Sequence, residues 1–91
     1  MELSDEMLTE ISYVKISKYR TKVMKSLDGE VLIPTQIARD SKIRTNHISK
    51  VLAELKVHEL VECINPEVRK GRLYRLTDKG EELVKNLEDI Q

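Results

Sequence analysis

Phenylalanine and tryptophan are absent from these 91 residues, tyrosine and glycine occur three times each, and cysteine once. Each scarcity removes a class of function. Single-stranded nucleic acid finds no row of aromatic side chains on which successive bases stack. Three scattered glycines make no phosphate-cradling loop. The lone Cys63 excludes an internal disulfide and a cysteine-built zinc site. There is no apolar run of about 18 residues and no charged-then-apolar leader, so we expect a cytoplasmic protein without membrane attachment. A chain this short buries only about 60% of its extended surface. With 35% charged residues, little apolar material remains to wall a deep pocket, and neither a cofactor nor a small-molecule ligand is expected.

The net charge of zero hides a partition. Residues 1–12 hold Glu2, Asp5, Glu6 and Glu10 with no base. Residues 76–91 hold five acids against Lys79 and Lys85, whereas residues 13–75 carry fourteen Lys/Arg against seven Asp/Glu. A basic centre between acidic ends suggests a polyanionic partner for the middle, and a mixed-sign solvated surface is the plainer alternative.

Ser4 ahead of Asp5 and Glu6 reads as an N-cap followed by acids in the positive first turn, with Leu3 placed to staple onto Leu8. The spacing predicts a first helix to about Ile11, with Met7, Leu8 and Ile11 facing inward. A second helix covers Val14 to Leu27, with Ile16, Tyr19, Val23 and Leu27 inward and Asp28-Gly29 as the stop. Its lysines 15, 18, 22 and 25 form a neighbouring stripe that reads first as a solvated face. Val31-Leu32-Ile33 suits a short strand, and Pro34 then opens a short helix over Thr35 to Asp40, packed through Ile37 and Ala38. After a turn at Ser41 to Arg44, a longer helix runs from Thr45 to about His58, with Ile48, Val51, Leu52 and Leu55 inward. Residues 60–64 and 72–76 read as paired strands around a loop with turn residues at both ends. Thr77 is a good N-cap for a last helix from Asp78 to about Ile90, with Leu83, Val84, Leu87 and Ile90 inward.

A short helix, a polar turn, a longer helix and a basic hairpin follow one another in the order of a winged helix-turn-helix. The fold class expected is α+β, mostly α, with a two- or three-stranded antiparallel wing and flanking N- and C-terminal helices. One domain covers 1–91: an N-terminal helix over 1–12, the winged-helix unit over 13–76 and a C-terminal helix over 77–91. The B-DNA major groove is about 12 Å wide and accepts one α-helix. At about 100° per residue, Asn46, Lys50 and Ala53 lie opposite the inward stripe of the long helix. Asn46 suits an adenine edge, Lys50 a guanine or a phosphate, and Ala53 a thymine methyl. Arg44, Thr45, His47 and Ser49 flank this face near the helix N-terminus, where amides favour phosphate. Thr35 and Gln36 are placed to hold the DNA backbone. Arg69, Lys70 and Arg72 put three positive charges beside Gly71, whose freedom to turn brings them to a phosphate ridge or minor groove.

The string Ile37-Ala38, Ile43, Ile48-Ser49, Leu52, Leu55, Leu60-Val61, then Arg72-Leu73-Tyr74 and Leu76-Thr77-Asp78-Lys79-Gly80, resembles the small ArsR/MarR-like winged-helix transcriptional regulators of archaea and bacteria. The resemblance covers roughly residues 15–85. It implies a regulator that binds duplex DNA as a dimer. Two departures stand out. Where the family places a glycine before the wing strand, this chain has Glu59, and the cysteines that ArsR-type metal sensors carry in the recognition helix are missing. Cys63 with His58 falls short of the three or four ligands a metal needs, so Cys63 reads as a half-buried strand residue and no metal is expected.

The function expected is a sequence-specific, double-stranded DNA-binding transcriptional regulator, with helix 45–58 in the major groove and wing 65–72 on the backbone or minor groove. The alternative is a winged-helix protein-interaction module of a larger complex. No catalytic grouping stands out, so an enzyme is not expected. The acidic terminal helices are candidates for a homodimer interface, which of the two pairs being open, with simple coverage of the core by the N-terminal helix as the equal alternative.

Overall fold

In a computed structural model that describes residues 3–89, the Ser4 hydroxyl accepts a hydrogen bond from the Met7 amide at 3.1 Å and opens α1 (Asp5–Lys15). Ser17 repeats the device 13 residues on, accepting from the Arg20 amide at 3.2 Å, and opens α2 (Lys18–Ser26). The corner between them is fastened by two side chains that take up carbonyls at the end of α1. Thr21 donates to Val14 O at 3.1 Å and the Arg20 guanidinium to Tyr13 O at 2.9 Å. The break therefore falls at Ile16-Ser17, a full turn beyond the predicted end at Ile11. Ile16, at the corner, is 79% exposed and Tyr19, in the first turn of α2, 42% exposed instead of facing inward, and Met24 joins Val23 and Leu27 in the core. On α1 the buried positions are Met7, Ile11 and Val14; Leu3 packs against the core while Leu8 stays 44% exposed.

Pro34 occupies the first turn of α3 (Pro34–Ser41), and the Gln36 side-chain oxygen accepts the Ile33 amide at 3.0 Å. A left-handed residue, Lys42 at φ 60°, turns the chain into α4 (Thr45–Val57). The wing strands are shorter than predicted: β1 (Val61–Cys63) pairs antiparallel with β2 (Tyr74–Leu76), Val61 opposite Leu76. One further ladder bond joins the Ile64 amide to Leu73 O at 3.0 Å. Of the run Val31–Ile33, Leu32 alone pairs, bonding both ways with Tyr74. The last helix is α5 (Asp78–Asp89); the predicted inward residue Ile90 lies outside the described residues.

Glu59 stands at φ 59°, in the left-handed conformation that a glycine would occupy at this helix exit. The Glu59 amide donates to Lys56 O at 2.9 Å and the Leu60 amide to Leu55 O at 3.0 Å, the two bonds of a Schellman motif. The turn is thus retained with strain rather than altered. Glu59→Gly should raise the unfolding free energy by about 0.5–1 kcal/mol, relief of the left-handed Cβ penalty outweighing the larger chain entropy of glycine. Urea unfolding of the variant checks this, and a lower midpoint would refute it.

All five helices contribute to one apolar core, in which Ile37, Ile48, Leu55, Leu60 and Leu83 are fully buried. The stripes of both terminal helices belong to it, Met7, Ile11 and Val14 from α1 and Leu83, Val84 and Leu87 from α5. The apolar stripes of both terminal helices are thus taken up by the chain's own core. The described residues span 40 × 24 × 20 Å. None of their helices is long and apolar enough to cross a membrane.

Candidate nucleic-acid interface

α4 is divided along its length. Ile48, Val51, Leu52 and Leu55 are buried, whereas Arg44, Thr45, Asn46, His47, Ser49, Lys50 and Ala53 are all exposed. No other part of the described chain covers this outer face. Arg44, at the N-cap, offers no side-chain bond to the first turn. Its carbonyl receives the amides of His47 at 3.0 Å and Ile48 at 3.3 Å, which leaves the amides of Thr45 and Asn46 without partners among the described residues. These two N–H groups at a helix N-terminus, flanked by Arg44, attract an anion. On one flank of the face the His47 ring leans on Tyr19 of α2, centroids 5.3 Å apart and planes tilted by 52°.

The wing is built around Asn65, a residue that sequence reasoning treated only as a turn former. Its side-chain oxygen accepts the Leu73 amide at 2.7 Å and its amide group donates to Gly71 O at 3.2 Å, so one side chain ties both ends of the loop. Asn before Pro66 was the available signal. Gly71 takes φ 74°, as the turn requires. Arg69, Lys70 and Arg72 are exposed, and Arg72 Nε donates to Val68 O at 2.7 Å, which steadies the guanidinium while its outer nitrogens face solvent. No hydrogen bond or ion pair among the described residues joins these three to α4. Thr35 and Gln36 are both exposed at the start of α3, but the Gln36 oxygen is engaged by the Ile33 amide, which leaves its NH₂ as the group open to a phosphate.

Behind the outer face runs a chain of polar contacts that spacing did not reveal. Glu54 of α4 pairs with Arg20 at 3.3 Å, and Arg20 lies 3.8 Å over the Tyr13 ring. Tyr13 stacks on His58 at 3.8 Å, His58 Nδ1 meets Glu10 at 2.8 Å, and Lys79 of α5 donates to Glu10 at 3.2 Å and to His58 O at 3.1 Å. This fixes the body of α4 to α1, α2 and α5. His58 is thereby engaged away from Cys63, whose half-buried thiol approaches Asn65 Oδ1 at 3.6 Å. No group of three or more potential metal-ligating side chains forms among the described residues.

Burial alone would lower the Lys79 pKa, but the hydrogen bond to Glu10 and the charges of Glu10, Glu6 and Glu59 outweigh it and raise the pKa above the ordinary 10.5. A raised pKa in the folded state means that the ammonium contributes stability below the unfolded value and loses it as pH rises through the folded one. Melting temperatures of the unaltered chain and Lys79→Met should therefore differ most below about pH 10 and converge above it. A difference that does not change between neutral and strongly alkaline pH would contradict the pairing.

No family model and no curated protein matches the sequence. Solved structures do. NadR in complex with 4-hydroxyphenylacetate superposes with a TM-score of 0.72 at 19% identity, covering 91% of this chain and 63% of NadR. A MarR family transcriptional regulator from Silicibacter pomeroyi gives 0.74 at 17% identity, over 90% of this chain and 54% of its own length. The fold is a MarR-type winged helix. NolR from Sinorhizobium fredii gives 0.65 at 21% identity, over 99% of this chain and 95% of NolR. The chain thus spans less than two thirds of the first two proteins and nearly all of the third. In this winged helix α3 and α4 are the helix-turn-helix pair, and β1, β2 and the loop between them are the wing.

Proposed function

We propose that this chain is a transcriptional regulator that binds double-stranded DNA and catalyses no reaction. α4 enters the major groove with Asn46 and Lys50 toward base edges and Arg44, Thr45, His47 and Ser49 around them. The wing cations Arg69, Lys70 and Arg72 bind backbone or minor groove, and Thr35 with the Gln36 NH₂ holds phosphate. The observation that carries this reading is the uncovered polar face of α4 set over a wholly buried apolar one, with two unpaired amides at its start. The structural neighbours that are MarR family transcriptional regulators support it. The regulator acts as a homodimer on half-sites about 34–36 Å apart. The pairing uses the outer sides of the acidic terminal helices, where Leu8 remains partly exposed.

Selection of bound fragments from genomic DNA, followed by titration of the selected duplex and single-base variants, tests the reading. Lys70→Ala should weaken all sequences alike. Asn46→Ala should relax preference at one base position, removing about 1–3 kcal/mol of discrimination there. Absence of binding to any duplex at low salt would favour the protein-interaction module instead.

A further inference from the structure

Tyr19 was expected in the core, yet it stands 42% exposed with its hydroxyl unbonded among the described residues. What its ring touches is His47. A 5.3 Å separation and 52° tilt lie within the range that aromatic pairs favour. The two rings share a surface groove of about 220 Å³ with Ser17, Arg20, Lys50 and Glu54. Arg20, the next residue of α2, is locked by Glu54, by Tyr13 O and by the Tyr13 ring, so Tyr19 rides on a support anchored to α4 itself.

An exposed histidine on a helix surface ordinarily loses rotamer freedom when it docks, and a side chain held in place beforehand avoids that loss. We infer that Tyr19 is a positioning residue of the DNA interface, its ring holding the His47 imidazole against α2 in the orientation that meets the duplex. The inference rests on the DNA-binding reading. It adds α2 to the helix-turn-helix pair and the wing as a third element that shapes the contact surface. Because the ring performs this task, phenylalanine suffices at position 19 and alanine does not.

The experiment is a double-mutant cycle on a selected duplex, with circular dichroism confirming the fold of each variant. Tyr19→Phe should bind within two-fold of the unaltered chain, while Tyr19→Ala should weaken binding by about five-fold. In a His47→Ala background, Tyr19→Ala should produce no further loss. In the free protein, the His47 ring-proton shifts should move on Tyr19→Ala and stay near their original positions on Tyr19→Phe. Tyr19→Leu, which keeps bulk without the ring, should behave as alanine does. Unchanged binding by Tyr19→Ala, or a five-fold loss that persists without His47, overturns the inference while the DNA reading stands. Failure of the unaltered chain to bind any duplex overturns both.

Discussion

Replacing Gly80 with alanine is expected to lower the unfolding free energy by about 3 kcal/mol. Gly80 lies in the first turn of α5, and its backbone is pressed onto the exit of α4. A Cβ there would overlap the Leu60 carbonyl oxygen, stand 3.1 Å from the Leu60 carbon and 3.3 Å from Leu76 Cβ. The obstacle is backbone, and it is pinned: Leu60 O accepts the Thr77 amide at 3.1 Å, and the Thr77 hydroxyl donates to Glu59 O and accepts the Gly80 amide at 3.0 Å. In an open helix the same replacement would stabilise by about 1 kcal/mol, so the sign itself reports the contact. For a domain of this size the loss corresponds to a melting temperature lower by about 12–20 °C. A variant that melts with or above the unaltered chain would contradict the packing of α5 on Leu60. This junction also accounts for the Leu-Thr-x-Lys-Gly ending: Leu76 is buried, Thr77 caps, Lys79 reaches Glu10, and only glycine fits at position 80.

Lys50→Glu should reduce affinity for a selected duplex by about 100-fold, since it removes a cation from the centre of the face and sets a carboxylate against phosphate. Lys50 is exposed and makes no hydrogen bond or ion pair among the described residues, so the fold should keep its stability to within about 0.5 kcal/mol. Lys56→Glu supplies the control. It makes the same charge change on the same helix, at an exposed position about 120° around from Lys50, and should weaken binding by only a few-fold through the general field. Equal losses for the two variants would mean that the helix does not present a particular face to DNA.

The parts of this molecule that were legible in the sequence are those governed by near neighbours. The division of α4, the left-handed stop at Gly29, the Thr77 cap and proline at the start of α3 follow from helical period and capping chemistry. The corner at Ile16-Ser17 was misjudged because apolar spacing continues across it, while the bonds that make it, from Thr21 and Arg20, link residues seven apart. The contacts of Glu54 with Arg20, His58 with Glu10 and Lys79 with Glu10 join residues 34, 48 and 69 apart, and no local pattern carries them. Tyr19 illustrates the consequence for the site. Assigned inward by spacing, it sits in the first turn of α2 against His47, a contact with a residue of another helix that no local pattern carries.

The proposed binding of duplex DNA by the uncovered face of α4 and the wing cations engages phosphates as well as bases. Its most direct measurement is the affinity for a selected duplex as a function of salt. With Arg44, Lys50, Arg69, Lys70 and Arg72 engaged, the logarithm of the association constant should fall linearly with that of salt, losing a few hundred-fold between about 50 and 200 mM. The reading is contradicted if no duplex binds at the lowest salt, or if binding is indifferent to salt across that range.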